Sequence, residues 1–301
     1  MAQQYKDYNT LILTIYCFVD NFIKGLVDNV KYALTKPDQN TPPQKTHNLT
    51  LAELVTLAMF RFFIGFRNWK DYYDFINNCY AEDFPNMPSY GNFINAINKL
   101  VWFALMLSSW FMNFFKQHTK THEVKFADST KLEVCKIKRE FSHKVCKGLA
   151  NKAKSSMGWF YGFKLHIVCN DLMQIIGMRI TTGTIDDRDG LEMIWNDIFG
   201  IIVADAGYLG KNRQEKASSL GKTLFAAVRA NMKKLMTKLQ HEMFKMRLKV
   251  EVVFSVLKLR MGLENSLPRS PLGHFAHYIW CVTTYQLKKF FQFISNKPLS
   301  A

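Results

Sequence analysis

Apolar residues recur at helical spacing through the first third of the chain, which predicts an all-helical N-terminal part. Residues 1–36 are expected to form one or two helices, and the polar, proline-rich segment 36–48 to be a linker. Thr50 followed by Glu53 is typical of a capping box, so a helix is predicted from there to about residue 66. The same spacing predicts helices over 69–80 and from a capping residue at 89 or 92 to about residue 115.

After residue 118, short apolar runs separated by turn residues replace the helical pattern. They predict strands over 123–127, 159–170, 175–182, 201–205 and 223–228, with helices over 186–199, 212–221 and 238–261. Antiparallel strands followed by alternating helices and strands are typical of an α+β or α/β fold with a mixed sheet flanked by helices. We therefore expect a helical arm and linker over 1–48, a helical domain over 49–118 and a sheet-containing domain over 119–301.

The charge distribution points to a polyanionic partner for the sheet-containing part. The chain has a net charge of +16; residues 1–118 contain 10 basic and 9 acidic side chains, whereas residues 119–301 contain 30 and 15. A positive field of this size favours nucleic acid, with an anionic membrane surface as the second interpretation. The apolar run 101–115 is shorter than the ~20 residues of a membrane span, so it is expected to be a buried helix.

The cysteines are scattered and include no C-x-x-C pair. No secretory signal precedes them, which predicts reduced thiols in a cytoplasmic protein. Cys135, His143 and Cys146 lie close together in the sequence, but their spacing fits no common zinc site. No zinc site is predicted there.

Two aspartates lie at the predicted ends of apolar strands. The run 201–204 leads into Asp205, and Asp128 follows the strand 123–127. In a sheet that places these strands side by side, both carboxylates lie at one edge, where open α/β sheets build their sites. Turn formation is the alternative explanation for Asp205, since Asp-Ala-Gly is also a turn sequence.

A third acid, Glu251, lies on the longest predicted helix of the second half. At 100° per residue it shares a narrow polar stripe with Arg247 and Lys258, between two apolar flanks. A carboxylate in such surroundings needs a partner. It either forms a salt bridge with one of these cations or joins the two aspartates as a metal ligand.

Three carboxylates suit hard divalent cations, Mg²⁺ or Mn²⁺, which prefer oxygen ligands. Two such ions, ~4 Å apart, activate a water or a 3′-hydroxyl and stabilise the leaving oxygen of an in-line phosphoryl transfer. Asp128, Asp205 and Glu251 are therefore the candidate catalytic and metal-binding residues, and two ions are expected.

A spaced pattern around the third acid, F-x2-R-x3-E-x6-K, is formed by Phe244, Arg247, Glu251 and Lys258. It resembles the Y-x2-R-x3-E-x6-K signature of bacterial insertion-sequence DDE transposases, with phenylalanine in place of tyrosine. Segments 126–130 and 203–208 resemble the first and second aspartate motifs of that family, and 155–166 resembles its second strand. The similarity extends over roughly 50–290.

The resemblance implies an RNase H-like catalytic core preceded by the helical N-terminal part. It implies that Asp128, Asp205 and Glu251 bind the divalent ions and that Arg247 and Lys258 contact DNA. It also implies a nucleoid-associated homodimer that cuts at the ends of its element, the terminal inverted repeats, and joins the 3′-hydroxyls to target DNA.

Further DNA contacts are expected in the segment 136–154, which contains seven Lys or Arg and one acid. Phosphate neutralisation supplies most non-specific DNA affinity, so DNA contact is favoured over a solvated loop. The candidate contacts in this segment are Lys136, Lys138, Arg139 and Lys144. His166, on the strand 159–170, is assigned a supporting or DNA-contacting role, with simple packing as the alternative.

Two other groups leave alternatives open. The acidic cluster at 186–189 is either a rival metal site or, as its position before a helix favours, a set of N-capping side chains. The domain 49–118 is either a packing domain or a helix-turn-helix-like element that contacts DNA through Arg61, Arg67 and Lys70.

The predicted function is that of a DNA transposase that uses a two-metal mechanism. One alternative is a catalytically inactive, transposase-derived DNA-binding protein. The other is an RNase H-like nuclease, which shares the hydrolytic chemistry but does not join strands.

Overall fold

The computed structural model describes residues 7–33, 49–120, 123–155, 158–208, 211–226, 237–264 and 268–295. The N-terminal part is helical, with α1 (Tyr8–Ala33), α2 (Leu51–Ile64), α3 (Trp69–Cys79), α4 (Tyr90–Lys99) and α5 (Val101–Gln117). The predicted linker 36–48 lies outside the described residues. Within the described ranges, no helix is both long enough and apolar enough to cross a membrane.

The capping box predicted at the start of α2 is present, and a glycine ends the helix. The Thr50 hydroxyl accepts a hydrogen bond from the N–H of Glu53 (3.2 Å), and the Glu53 carboxylate accepts one from the N–H of Thr50 (2.6 Å). Gly65, with a φ of 82°, ends the helix in the left-handed conformation. The helix predicted to run to residue 115 is instead two helices, α4 and α5, which meet at Leu100.

One mixed sheet occupies the second half of the chain. Its strands are β1 (Lys125–Cys135), β2 (Asn151–Ser155), β3 (Gly158–Cys169), β4 (Ile175–Thr182), β5 (Gly200–Ala204) and β6 (Lys222–Ala226). β3 pairs antiparallel with β1, whereas the pairs β1–β5 and β5–β6 are parallel. The order β4–β3–β1–β5–β6, with helices on the sheet, is the expected RNase H-like arrangement.

β3 is long enough to pair with two strands on its second edge. Its first five residues pair with β2, and the remainder pairs with β4. β2 was absent from the predicted elements, because its sequence, N-K-A-K-S, has no apolar alternation beyond one buried alanine, Ala153. The tight fit between β3 and β1 also requires Gly162, where an added Cβ would lie 2.0 Å from the carbonyl oxygen of Leu132.

Helices α6 (Asp187–Glu192), α7 (Lys211–Ser219), α8 (Lys238–Lys245), α9 (Leu248–Ser255) and α10 (Pro271–Ser295) accompany the sheet. The prediction of one helix over 186–199 was wrong: only α6 forms, and turns follow it. Trp195 and Ile198 are buried in those turns, so the apolar spacing reflects burial rather than a continuing helix. The helix predicted over 238–261 is interrupted between α8 and α9 and ends in a π-helical turn, Val256–Arg260.

α10, which was not predicted, joins the helical part to the sheet. Its side chains from His277 to Leu287 are buried, and it packs against α2, α4 and α5. The Trp280 indole N–H donates to the carbonyl of Ile97 (3.2 Å). One hydrophobic core therefore extends from α1 through the sheet to α10. The division at residues 48 and 118 stays a prediction, and α10 packs on the N-terminal side of it.

Candidate active site

β1 and β5 bring Asp128 and Asp205 to the same edge of the sheet. The strands are parallel with Phe126 opposite Val203, and continuing this register by two residues places Asp128 opposite Asp205. Side chains alternate along strands, so residues in register share a face of the sheet. Asp205 directly follows β5, as predicted.

Asp128 lies inside β1 rather than at its end, which corrects the sequence-based boundary. The strand continues through Cys135 because its second half pairs with β3, where Asp128 lies opposite Ile167. Leu132 and Val134 are buried along this extension. The polar residues from Ser129 to Lys131, together with Glu133, made this half of the strand resemble a loop.

Burial disfavours the charged form of the Asp128 carboxylate. Burial raises its pKa to about 6, while a hydrogen bond from the Ser129 N–H to Oδ1 (2.8 Å) acts in the opposite direction. The negative charge of Asp205 raises the pKa further, so the two acids are close enough to repel each other. Such a pair is stabilised by a cation between or beside its members.

Arg247 supplies a cation at this position. Its Nη1 lies 3.2 Å from Oδ2 of Asp128, and its Nη2 lies 2.6 Å from Oε1 of Glu251. The guanidinium therefore connects β1 to α9 and places Glu251 at the same edge as Asp128. The salt bridge considered for Glu251 is present, and it lies at the candidate metal site.

The interruption between α8 and α9 sets the position of this ion pair. Arg247 lies in the interruption and precedes the first residue of α9. Three apolar side chains of α9 are buried on the side of the helix that packs against β1 and β3: Val250, Val253 and Phe254. Glu251 lies beside this packed face, with 44% of its side chain exposed.

Lys258 lies on the π-helical turn and forms its ion pair with Glu264, at 2.6 Å. Its side chain is three-quarters buried. The structure therefore brings Arg247 to the candidate acids, whereas Lys258 pairs with Glu264, which follows the π-helical turn.

A fourth carboxylate, Asp187, reaches the site from α6. Its Oδ1 accepts a hydrogen bond from the Ser129 hydroxyl (2.7 Å) and lies 3.0 Å from Nζ of Lys164. Tyr208 is buried beside these acids, and burial together with the charges of Asp128 and Asp187 raises the pKa of its hydroxyl. Asp187 and Tyr208 were not predicted as site residues, although Tyr208 follows Asp205 by three residues.

Of the neighbouring acids, Asp186 acts as the predicted helix cap, whereas Asp189 forms an ion pair. Asp186 accepts a hydrogen bond from the Arg188 N–H and caps the helix, and its side chain pairs with that of Arg188 at 2.7 Å. Asp189 pairs with Arg213 at 2.6 Å. Only Asp187 of this cluster is directed to the sheet.

His166 is part of the protein interior. It is 1% exposed, and its Nε2 lies 2.8 Å from the hydroxyl of Thr181. The ring lies directly beneath Gly190 of α6, where an added Cβ would be 2.2 Å from Cε1. Burial lowers the histidine pKa to about 4, so the ring is neutral. Its position supports the packing alternative, with α6 held above it, rather than contact with DNA.

The predicted DNA-contacting cations lie in the loop between β1 and β2. Each is exposed, and none forms an ion pair with another described residue: Lys136, Lys138, Arg139 and Lys144. The acid of the loop, Glu140, pairs instead with Lys152 at 2.8 Å. The loop therefore presents uncompensated positive charge.

Exposed aromatic rings accompany this charge. Trp159 of β3 is 56% exposed, with the ammonium groups of Lys152 and Lys154 at 5.6 and 5.9 Å from its ring. Phe141 at the tip of the loop is 91% exposed. Cations interleaved with exposed rings are typical of nucleic-acid surfaces.

Arg61 cannot serve as the phosphate contact considered for the helical domain. It is 0% exposed, and its guanidinium lies over the rings of Phe62 and Trp69. Its Nη2 donates to the carbonyl of Arg67 at 2.6 Å. Burial lowers its pKa to about 10. Arg61 is thus part of the helical core.

A family model described as the transposase DDE domain matches residues 118–271, just over half of the chain. The chain therefore belongs to the DDE-domain transposases, whose members act on DNA and use divalent metal ions. Comparisons with curated proteins and with solved structures gave no match.

The donor types at the site suit such ions, and the oxygens of Asp128, Asp205 and Glu251 do not all lie within 4.8 Å of one another in this structure. The acids at the β1–β5 edge and on α9 offer oxygen donors, the ligands that Mg²⁺ and Mn²⁺ prefer. The guanidinium of Arg247 offsets only one of the two negative charges of Asp128 and Glu251. A positive charge at this point is therefore required by the chain itself.

Proposed function

We propose that the chain is an active transposase that cuts DNA at the ends of its element and joins the 3′-hydroxyls to target DNA. Asp128, Asp205 and Glu251 are the proposed catalytic acids. The observation that carries the proposal is the bridge from Arg247 to both Asp128 and Glu251, which joins the third acid to the strand edge.

Asp128 lies in β1, Asp205 directly follows β5 and Glu251 lies in α9, so three separate elements position the acids. Bound at these carboxylates, two Mg²⁺ or Mn²⁺ ions would supply the activation of a water or 3′-hydroxyl and the stabilisation of the leaving oxygen. The protein contributes fixed ligands and low local dielectric, since Asp128 is mostly buried.

Arg247 has two roles in the proposal. In the protein without DNA, it holds Asp128 and Glu251 together and offsets their repulsion. When a DNA strand lies at the site, the same guanidinium is close enough to bind a phosphate oxygen with two N–H groups. Lys258 is proposed as a DNA contact on the resemblance to the family signature.

The loop between β1 and β2 is proposed to hold the DNA backbone. Lys136, Lys138, Arg139 and Lys144 are exposed and carry no internal counter-charge among the described residues. Phosphates release counterions on contact with such a surface, which favours binding. Trp159 is placed to stack on an unpaired base at a frayed DNA end.

An insertion element has two ends, so we propose that two copies of the chain act together and that the protein associates with the nucleoid. Light scattering of the protein mixed with end duplexes measures this directly. A mass of two chains with two duplexes is expected; a stable complex of one chain with one duplex that still joins ends would contradict the dimer.

The catalytic proposal is tested with Asp205→Asn. The probe is a duplex from the inverted repeats that flank the gene, labelled so that cleavage and joining to a target plasmid are both visible. Wild-type protein with Mg²⁺ or Mn²⁺ is expected to cut and join, whereas Asp205→Asn loses both activities and retains DNA binding. The amide keeps the size of the side chain but not its charge.

Asp197→Asn is the matched control, because Asp197 is an exposed aspartate paired with Lys116 away from the site. It should cut and join at the wild-type rate. Wild-type cleavage without joining would identify a nuclease. Binding without cleavage, in either metal, would identify an inactive DNA-binding protein.

A further inference from the structure

Three side chains with metal-binding atoms meet between the basic loop and α10. His143 and Cys146 lie in the loop that follows β1, and His274 lies in the first turn of α10. Their ligand atoms all lie within 4.8 Å of one another. Cys146 and His274 are buried, and His143 is half-buried. No other cluster of this kind occurs among the described residues.

The two imidazoles are in the form that binds metals. Burial lowers the pKa of His274 to about 4 and also lowers that of His143, so both rings are neutral. Nε2 of His143 accepts a hydrogen bond from the N–H of Cys146 (3.2 Å), which a bound metal would replace. The Tyr278 hydroxyl lies 3.4 Å from Nδ1 of His274, so Nε2 is the nitrogen that would bind a metal. A hydrogen bond at the second nitrogen is the usual way in which a ligating imidazole is oriented.

A second thiol lies next to this cluster. Cys135 lies opposite Tyr161 of β3, and the ring centroid of Tyr161 is 6.0 Å from that of His143. Cys135 is the last residue of β1 and is half-buried. The four side chains together would offer two sulfur and two nitrogen donors, a set that selects Zn²⁺ over the hard cations of a carboxylate site.

We propose that His143, Cys146 and His274, completed by Cys135, bind one Zn²⁺-class cation with a structural role. On binding, the two thiol protons pass to solvent and the thiolates bond to the metal. The cation would tie the end of β1 and the basic loop to α10. It would thereby fix the DNA-facing cations relative to the core, at a place distinct from the carboxylate site.

The test measures bound metal in full-length protein purified without a polyhistidine tag. Mass spectrometry of the elements should find about one zinc per chain. Exchange with Co²⁺ should produce the absorption of a tetrahedral thiolate complex. Cys146→Ser and His274→Gln should each lose the zinc and the cobalt spectrum, and Cys135→Ser should weaken zinc binding at least tenfold.

Two control variants show whether loss of zinc is specific to this site. Cys281→Ser removes another buried thiol, and Asp205→Asn alters the carboxylate site; both should keep the zinc. Trypsin provides a second measurement, because the loop is rich in Lys and Arg. Chelation should expose the loop of wild-type protein to cleavage but leave the cleavage of Cys146→Ser unchanged.

A wild-type protein that holds less than about a tenth of an equivalent of zinc, and gives no thiolate spectrum with Co²⁺, would overturn the proposal. Zinc retained by the Cys146→Ser, His274→Gln double variant would overturn it as well. Full affinity in Cys135→Ser would remove Cys135 from the ligand set.

Discussion

The guanidinium of Arg247 lies 3.2 Å from the carboxylate of Asp128, although 119 positions separate the two residues in the chain. This contact joins the central strand of the sheet to the helix that carries Glu251. It offsets one of the two negative charges of Asp128 and Glu251 and leaves the other for a bound cation. The charge of Arg247 and that of a bound cation should therefore partly substitute for one another.

The variant Arg247→Gln tests whether a bound cation can replace the charge of Arg247. Without the guanidinium, Asp128 and Glu251 lose their common partner, so the variant should melt several degrees below wild type in a chelator; about 1 kcal/mol corresponds to roughly 2–4 °C in a domain of this size. Mg²⁺ should raise its melting temperature more than that of wild type. Arg188→Gln, which alters an exposed pair with Asp186, is the control and should change little. Equal Mg²⁺ shifts in Arg247→Gln and wild type would contradict the idea.

Asp128 should make stability depend on pH. Burial raises its pKa to about 6 from an ordinary value of 3.8, so between those values the folded protein keeps a proton that the unfolded chain has lost. The free energy of unfolding from this group is therefore highest below about pH 4 and falls as the pH rises to about 6. Two pKa units correspond to at most about 3 kcal/mol.

Asp128→Asn removes that dependence. In a chelator at pH 7.5, the variant should be about 1–3 kcal/mol more stable than wild type, and inactive. Urea unfolding at several pH values gives the comparison, and the difference should vanish near pH 4. A difference that stays constant with pH would show that the carboxyl titrates elsewhere. Asp197→Asn, on an exposed side chain, should follow wild type.

The third acid is tested by ranking glutamates. Glu251→Gln should abolish Mg²⁺-dependent strand transfer, because only Glu251 is joined through Arg247 to Asp128. Glu242→Gln and Glu264→Gln should retain most activity, since these acids pair with Lys245 and Lys258 instead. The opposite ranking would exclude Glu251 as a metal ligand.

The basic loop is tested through salt. Replacing Lys136, Lys138, Arg139 and Lys144 by alanine should weaken DNA binding and reduce the slope of log affinity against log salt by about 0.9 for each lost phosphate contact. Lys24→Ala with Lys116→Ala is the control, because these lysines already pair with Asp20 and Asp197. An unchanged slope in the loop variant would identify a solvated loop.

The packing of His166 under α6 is tested with Gly190→Ala. The added Cβ would lie 2.2 Å from the ring, so α6 and Asp187 should move, at a cost of about 1–3 kcal/mol and of activity. Adding His166→Ala should recover part of the stability, which a double-mutant cycle measures. Gly91→Ala on α4, with open space around it, should not destabilise. Additive effects at 166 and 190 would contradict the contact.

The sequence located the candidate acids relative to strands and helices better than it predicted the bounds of those elements. Asp205 could be placed because an apolar run led directly to it, and Glu251 because its polar stripe shares one helix face with Arg247. Asp187 could not be placed at the site from the sequence, because its contacts with Ser129 and Lys164 depend on how α6 crosses the sheet. Helix capping explained the local sequence equally well.

The elements that were missed or misjudged share a physical cause. α10 carries polar residues that are buried by contacts with other helices, as when Gln286 accepts a hydrogen bond from Ser108 (2.7 Å), so its apolar pattern is incomplete. β2 owes its structure to pairing with β3 rather than to its own side chains. His274 is far in sequence from His143 and Cys146, so spacing rules for metal ligands could not join them.

Because α10 covers the helices of the N-terminal part, those helices cannot complete their core until α10 has been synthesised. The helices of the N-terminal part leave the ribosome well before α10, yet the side chains that cover their inner faces belong to α10. Until that helix emerges, those faces stay exposed and the nascent chain is open to chaperones and proteases. A gene copy that stops ahead of the codons for α10 would consequently yield a degraded fragment instead of a competing, partly active enzyme.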